Sequence, residues 1–213
     1  MKQNEVHIGI NYPEYFEDDF EEKFLADVTV PNLSIKVHKV PPTVYASLEW
    51  AIPGLLAIYI LKPYFESFLA EAGRDHFLVL KKWLKERVSQ SKHLRSSTIT
   101  GSQSTNKLDK GNTQSKVISV HLQTKNSFQI KLLFDDRLEA KDWEKATENF
   151  LDLTIDHYDN YPDDALTSKI KELSQDSRIT VYAIIDPASK NWVLLNERMM
   201  ILRTRNLSTD NSE

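Results

Sequence analysis

Apolar and polar positions change period several times along the chain, and each change marks an element. Val6, Ile8 and Ile10 alternate with polar neighbours from Glu5 to Asn11, which predicts a strand. The following PEYFEDDFEEKFLA, Pro13 to Ala26, sets Phe16, Phe20 and Phe24 four apart among carboxylates, the pattern of a short amphipathic helix. Leu33, Ile35 and Val37 then alternate with Ser34, Lys36 and His38, so Val28 to Val40 reads as a strand or a bent strand pair, ended by Pro41-Pro42. The entry is β-α-β-like.

Thr43 to Val88 is the segment on which the first half is organised. It holds two of the four tryptophans and the longest apolar run, Ala51 to Leu61. Pro53 and Pro63 each remove a backbone donor and disfavour helix just before them, yet each is well placed to open a new helix. The pattern predicts helical pieces at Thr43 to Ile52, Pro53 to Leu61 and Pro63 to Ala72, then Gly73 as a C-terminal cap and a helix from Asp75 to Val88. The middle piece is apolar almost all round, which places it in a core or in lipid. Ile52, Leu55, Leu56, Ile58, Tyr59 and Leu61 are therefore the candidates for membrane or partner contact. A spanning helix needs about 20 apolar residues, and the run is shorter and broken at Pro53-Gly54, so a buried core helix is the reading preferred over a membrane surface.

From Ser89 to Ser115 the chain turns to Ser, Thr, Gln, Asn and Lys, too polar to offset its ordering entropy, and reads as a flexible linker. Order returns with a hairpin, Val117 to Gln123 and Phe128 to Phe134, around Thr124-Lys125-Asn126-Ser127. A long helix follows from Arg137 to Asp159 with Leu138, Trp143, Ala146, Phe150 and Leu153 on one face, and another from Pro162 to Leu173. Ile179 to Ile185 and Trp192 to Leu195 are predicted strands joined by Asp186-Pro187, with a last strand at Met199 to Arg203 and a disordered tail. The fold class is α+β: the β-α-β-like entry and Pro-interrupted central helical segment, a linker, then a β-β-α-α-β-β unit of mostly antiparallel strands. The corresponding regions are 1–88, 89–115, 116–205 and the tail 206–213.

Charge adds little. The formal net charge is −4, and although nine Lys or Arg face two acidic residues between Lys81 and Lys116, no aromatic is interleaved in the linker to stack on bases. Nucleic acid is not an expected partner. The chain has no cysteine, which excludes thiol nucleophiles and fits a reducing compartment. The first residues carry no basic and apolar leader, so the expectation is cytoplasmic, with membrane association as the alternative.

Five glycines build neither a dinucleotide fingerprint nor a phosphate loop, and no metalloprotease, hydrolase or kinase signature occurs. No cofactor is expected. Two constellations carry candidate chemistry. Asp75 and His76 form an orienter and general base, or simply a helix cap and its first-turn neighbour. Glu148, Asp152, Asp156 and Asp159 make an acidic ridge on one helix face, suited to a divalent metal, to a basic partner, or to solvent. The ridge sits where the helix dipole disfavours negative charge. Taken together the sequence points to a non-enzymatic interaction module, an accessory subunit binding another protein or itself. A membrane-perturbing protein inserting residues 44–61 and a metal-dependent hydrolase using the ridge are the alternatives.

Overall fold

A computed structural model describes residues 5–41, 53–93, 113–173 and 180–210. The fold is α+β. In chain order it runs β1 (Ile8–Pro13), α1 (Phe20–Leu25), β2 (Ile35–Val40), β3 (Leu56–Ile60), a π-helical turn (Tyr64–Phe68) continuing into α2 (Leu69–Ala72), and α3 (Arg74–Ser91). Then come β4 (Ile118–Gln123), β5 (Gln129–Leu133), α4 (Ala140–Asn160), α5 (Ala165–Leu173), β6 (Thr180–Ile185), β7 (Trp192–Leu195) and α6 (Glu197–Asp210).

All seven strands form one mixed sheet in the order β2-β1-β3-β4-β5-β6-β7. Pairings alternate in sense: β1/β2, β3/β4 and β5/β6 are parallel, while β1/β3, β4/β5 and β6/β7 are antiparallel. The sheet thus takes strands from both sides of residues 94–112, joined where β3 runs beside β4. Period-two alternation sorts the side chains onto two faces. Ile8, Ile58, Val120, Leu132 and Ala183 point to the face covered by α1, α3, α4 and α5, where Phe24, Trp83, Trp143 and Phe150 complete the main core. On the other face Leu133, Tyr182, Ile184 and Leu195 pack with Met200 of α6 as a smaller cluster.

Two predicted elements have the other secondary structure. The segment Pro53 to Leu61 is not a helix: its middle is β3, in the centre of the sheet, with Leu56, Ala57, Ile58 and Ile60 all buried. A five-residue apolar run covered on both faces satisfies a central strand, whose backbone partners are far away in sequence. Met199 to Arg203 is not a strand but part of α6, which takes in the tail as far as Asp210. Asn196 starts it, its Oδ1 accepting the Met199 N–H at 2.9 Å. The helix predicted at Thr43 to Ile52, and with it Ile52, lies outside the described residues.

Candidate functional site

His76 is buried, not an exposed first-turn residue. Its Nδ1 stands 3.1 Å from the Tyr64 hydroxyl and its Nε2 3.3 Å from the Val28 carbonyl. Because a carbonyl only accepts, Nε2 carries the proton and Nδ1 accepts from Tyr64. Burial lowers the pKa of the ring, against the bond to Val28, which favours the protonated form. Both nitrogens are thus engaged, while Asp75 lies exposed beside it and α3 begins after Gly73, at φ 77°.

The acidic ridge of α4 meets α3, which runs antiparallel to it. Glu148 pairs with Lys85 at 2.8 Å and Lys81 at 3.2 Å, Asp152 with Lys81 at 2.7 Å, and Asp159 with Arg74 at 2.6 Å. Asp156 accepts from Asn160 at 2.7 Å. The basic row of α3 supplies the charge that α4's own dipole withholds. Among the described residues no group of three or more His, Asp or Glu is arranged to hold a metal ion. Of the apolar contact candidates, Leu56 and Ile58 are sheet interior, Tyr59 is half-buried on the opposite face of the same strand, and Leu55 and Leu61 are half-buried at its ends. Among the described residues no helix is long and apolar enough to cross a membrane.

A concentration of buried polar chemistry that the sequence did not announce lies on the α6 face of the sheet. Tyr59 of β3, His121 of β4, Lys131 of β5 and Tyr182 of β6 are successive cross-strand neighbours, a single row across four strands. Tyr59 stacks on His121 at 4.3 Å between ring centres and lies against Gly9 of β1. His121 is 7% exposed and Lys131 2%. Beside the row, the Ser119 hydroxyl stands 3.1 Å from His121 Nε2 and accepts the Gly54 N–H at 2.9 Å. That approach demands glycine at 54: a Cβ there would come within 2.7 Å of the Ile118 backbone.

The Ser119 oxygen accepts from Gly54 and keeps both a hydrogen and a second lone pair, so its bond to His121 Nε2 runs in either direction according to the ring's tautomer. His121 Nδ1 has no hydrogen-bond partner among the described residues. Burial, with Lys131 close by, pushes the His121 pKa down to about 3, and burial pushes the Lys131 ammonium down to about 7. In the sequence His121 was one of six scattered histidines and Lys131 was not singled out. Both sit on the polar side of alternating strands, with Ser119 and Gln123 beside His121 and Gln129 beside Lys131, a pattern that reads as a solvent-facing side, so their burial had no local signal.

A second feature lies at the end of the sheet. β7 is the last strand in the order, and Val193 on it is 40% exposed. Met199 and Leu202 of α6, on the same face, are also exposed while Met200 between them packs inward. No protein-family model matches the chain, and it has no match among curated proteins or solved structures.

Proposed function

We propose that the chain is a non-enzymatic interaction module, and that the partner it docks is a second copy of itself at the free edge of β7. The observation that carries this reading is the company of an edge left unpaired among the described residues with exposed apolar side chains: Val193 on the strand and Met199 and Leu202 on the helix behind it. Edge strands are ordinarily guarded by charge, proline or cover, and Trp192–Leu195 itself carries neither charge nor proline. An edge of this kind pairs most simply with its own copy, antiparallel about a two-fold axis, so that the same patch meets itself. The two helices behind the strands would then bring Met199 and Leu202 toward each other across the axis.

Light scattering across a concentration series tests it, with Val193→Lys as the variant. Val193 is exposed, so the charge leaves the fold intact and places two ammonium groups at the axis of a dimer. The expected result is a dimer for the wild type and a monomer for the variant with an unchanged circular dichroism spectrum. A wild type still monomeric at about 0.1 mM, which means an interface worth less than about 5.5 kcal/mol, overturns the reading.

A further inference from the structure

We propose that Met199 is an oxidation site, and that its conversion to the sulfoxide by hydrogen peroxide takes apart the β7-edge dimer on whose existence this rests. The chain has three methionines and no cysteine, so peroxide chemistry at sulfur falls on thioethers alone. Met199 and Met200 are adjacent in α6 and lie in opposite surroundings. The first turn of the helix is held at Asn196, whose Oδ1 accepts the Met199 N–H at 2.9 Å and whose carbonyl accepts the Met200 N–H at 3.0 Å. Successive helical positions point about 100° apart. Met200 turns into the cluster of Leu133, Tyr182, Ile184 and Leu195 and is 3% exposed, while Met199 turns outward, beside Leu202, and is 39% exposed. Peroxide therefore meets the Met199 sulfur first. Met199 Sδ attacks one peroxide oxygen, an S–O bond forms as the O–O bond breaks, and the other oxygen leaves as water. Sulfur gives up two electrons and peroxide takes them. An apolar thioether has then become a polar group with a strong acceptor oxygen. In the free monomer water bonds to that oxygen. In the dimer it faces the same apolar patch of the second copy, whose side chains offer no donor, and a polar group buried without a partner is costly. Two-fold symmetry brings one sulfoxide from each copy and doubles the cost. The linkage runs both ways: packed in the dimer the thioether is out of reach, so oxidation proceeds through the free monomer.

The test follows the full chain by light scattering and mass spectrometry as hydrogen peroxide is added. Trypsin cuts after Arg198 and Arg203, so both methionines leave on the peptide Met199–Arg203 and its fragment masses locate the added oxygen. Met199 is expected to take up oxygen before Met200, and more slowly at protein concentrations above the dimer Kd than below it. The dimer Kd is expected to rise about tenfold or more, with an unchanged circular dichroism spectrum. Met199→Leu, apolar and without sulfur, stays dimeric in peroxide, whereas Met199→Gln, polar and of similar length, associates more weakly without any oxidant. A dimer that persists once Met199 is wholly the sulfoxide overturns the proposal and leaves the dimer standing. So does oxidation of Met200 ahead of Met199, or a Met199 rate equal above and below the Kd. A wild type monomeric at about 0.1 mM before any peroxide is added overturns the dimer and this proposal together.

Discussion

At the scale of single residues, the most constrained group in the molecule is the knot of His157, Asp164 and Thr167. The Lys125 N–H donates to His157 Nε2 at 3.1 Å, so Nδ1 holds the proton and gives it to Asp164 Oδ1 at 3.0 Å. Asp164 also accepts the Thr167 N–H at 2.8 Å and its hydroxyl at 2.6 Å, which makes it the cap of α5. One carboxylate therefore ties the end of α4, the start of α5 and the β4–β5 turn. Asp164→Ala leaves the buried Thr167 N–H and hydroxyl short of an acceptor, with His157 Nδ1–H reduced to the Thr167 oxygen 3.1 Å away, and is expected to cost about 2–4 kcal/mol in urea unfolding, whereas a loss under about 0.5 kcal/mol means the knot is slack. The cap half of this knot was legible, because Asp-Asp before ALTS is a helix-start signal. The histidine half was not. Seven residues and a helix end separate His157 from Asp164, and nothing local says that the ring turns inward. The same holds for His121 and Lys131, whose meeting depends on β4 and β5 pairing in one register.

At the scale of elements, legibility follows sequence distance. The hairpins β4–β5 and β6–β7 were visible because their turns are adjacent, and α4 because its apolar face repeats over five turns. β3 was misread as helix because its partners are β1, about fifty residues before it, and β4, about sixty after, and only they turn an apolar run into a strand. The acidic ridge shows the same dependence with a consequence that can be measured. The dipole of α4 alone predicts that Asp152→Asn stabilises slightly. The seam with α3 reverses the sign, since Lys81, whose side chain is only 15% exposed, pairs with Asp152 and Glu148 at once. Asp152 itself is largely open to solvent, so the effect is modest. A double-mutant cycle of Lys81→Met with Asp152→Asn is expected to give a coupling of about 0.2–1 kcal/mol that shrinks with added salt. Zero coupling at low salt would show the seam to be contact without energy.

At the scale of the whole molecule, one sheet divides two electrostatic environments, and the division sets how stability responds to pH. On the helix-covered side, burial pushes the Tyr64 and Tyr158 hydroxyls well above their usual range. On the α6 side, burial holds Lys131 at about 7 against an ordinary 10.5. At the acid end, burial alone would raise the carboxyls of Asp135 and Asp164, but the bonds from Arg137 and Thr113 to the first, and from Thr167 and His157 to the second, lower both. Each shift has a sign. The two aspartates bind a proton less readily folded than unfolded, so their contribution is present above the usual carboxylate range and is lost as pH falls through and below it. Lys131 also binds its proton less readily when folded. From about pH 7 to 10.5 the unfolded chain holds that proton and the native one has released it, and stability rises with pH across that window. The tyrosines act oppositely: the unfolded chain loses their protons first, near pH 10, and stability falls from there upward. The unfolding free energy is therefore expected to climb from acid to neutral, to keep climbing toward about pH 10, and then to turn down. Lys131→Met separates the causes, because it removes the climb above pH 7 and leaves both the acid limb and the alkaline fall. Urea titrations of the two proteins from pH 3 to 11 give the comparison, and parallel curves between pH 7 and 10 would mean that Lys131 keeps its ordinary proton in the folded chain.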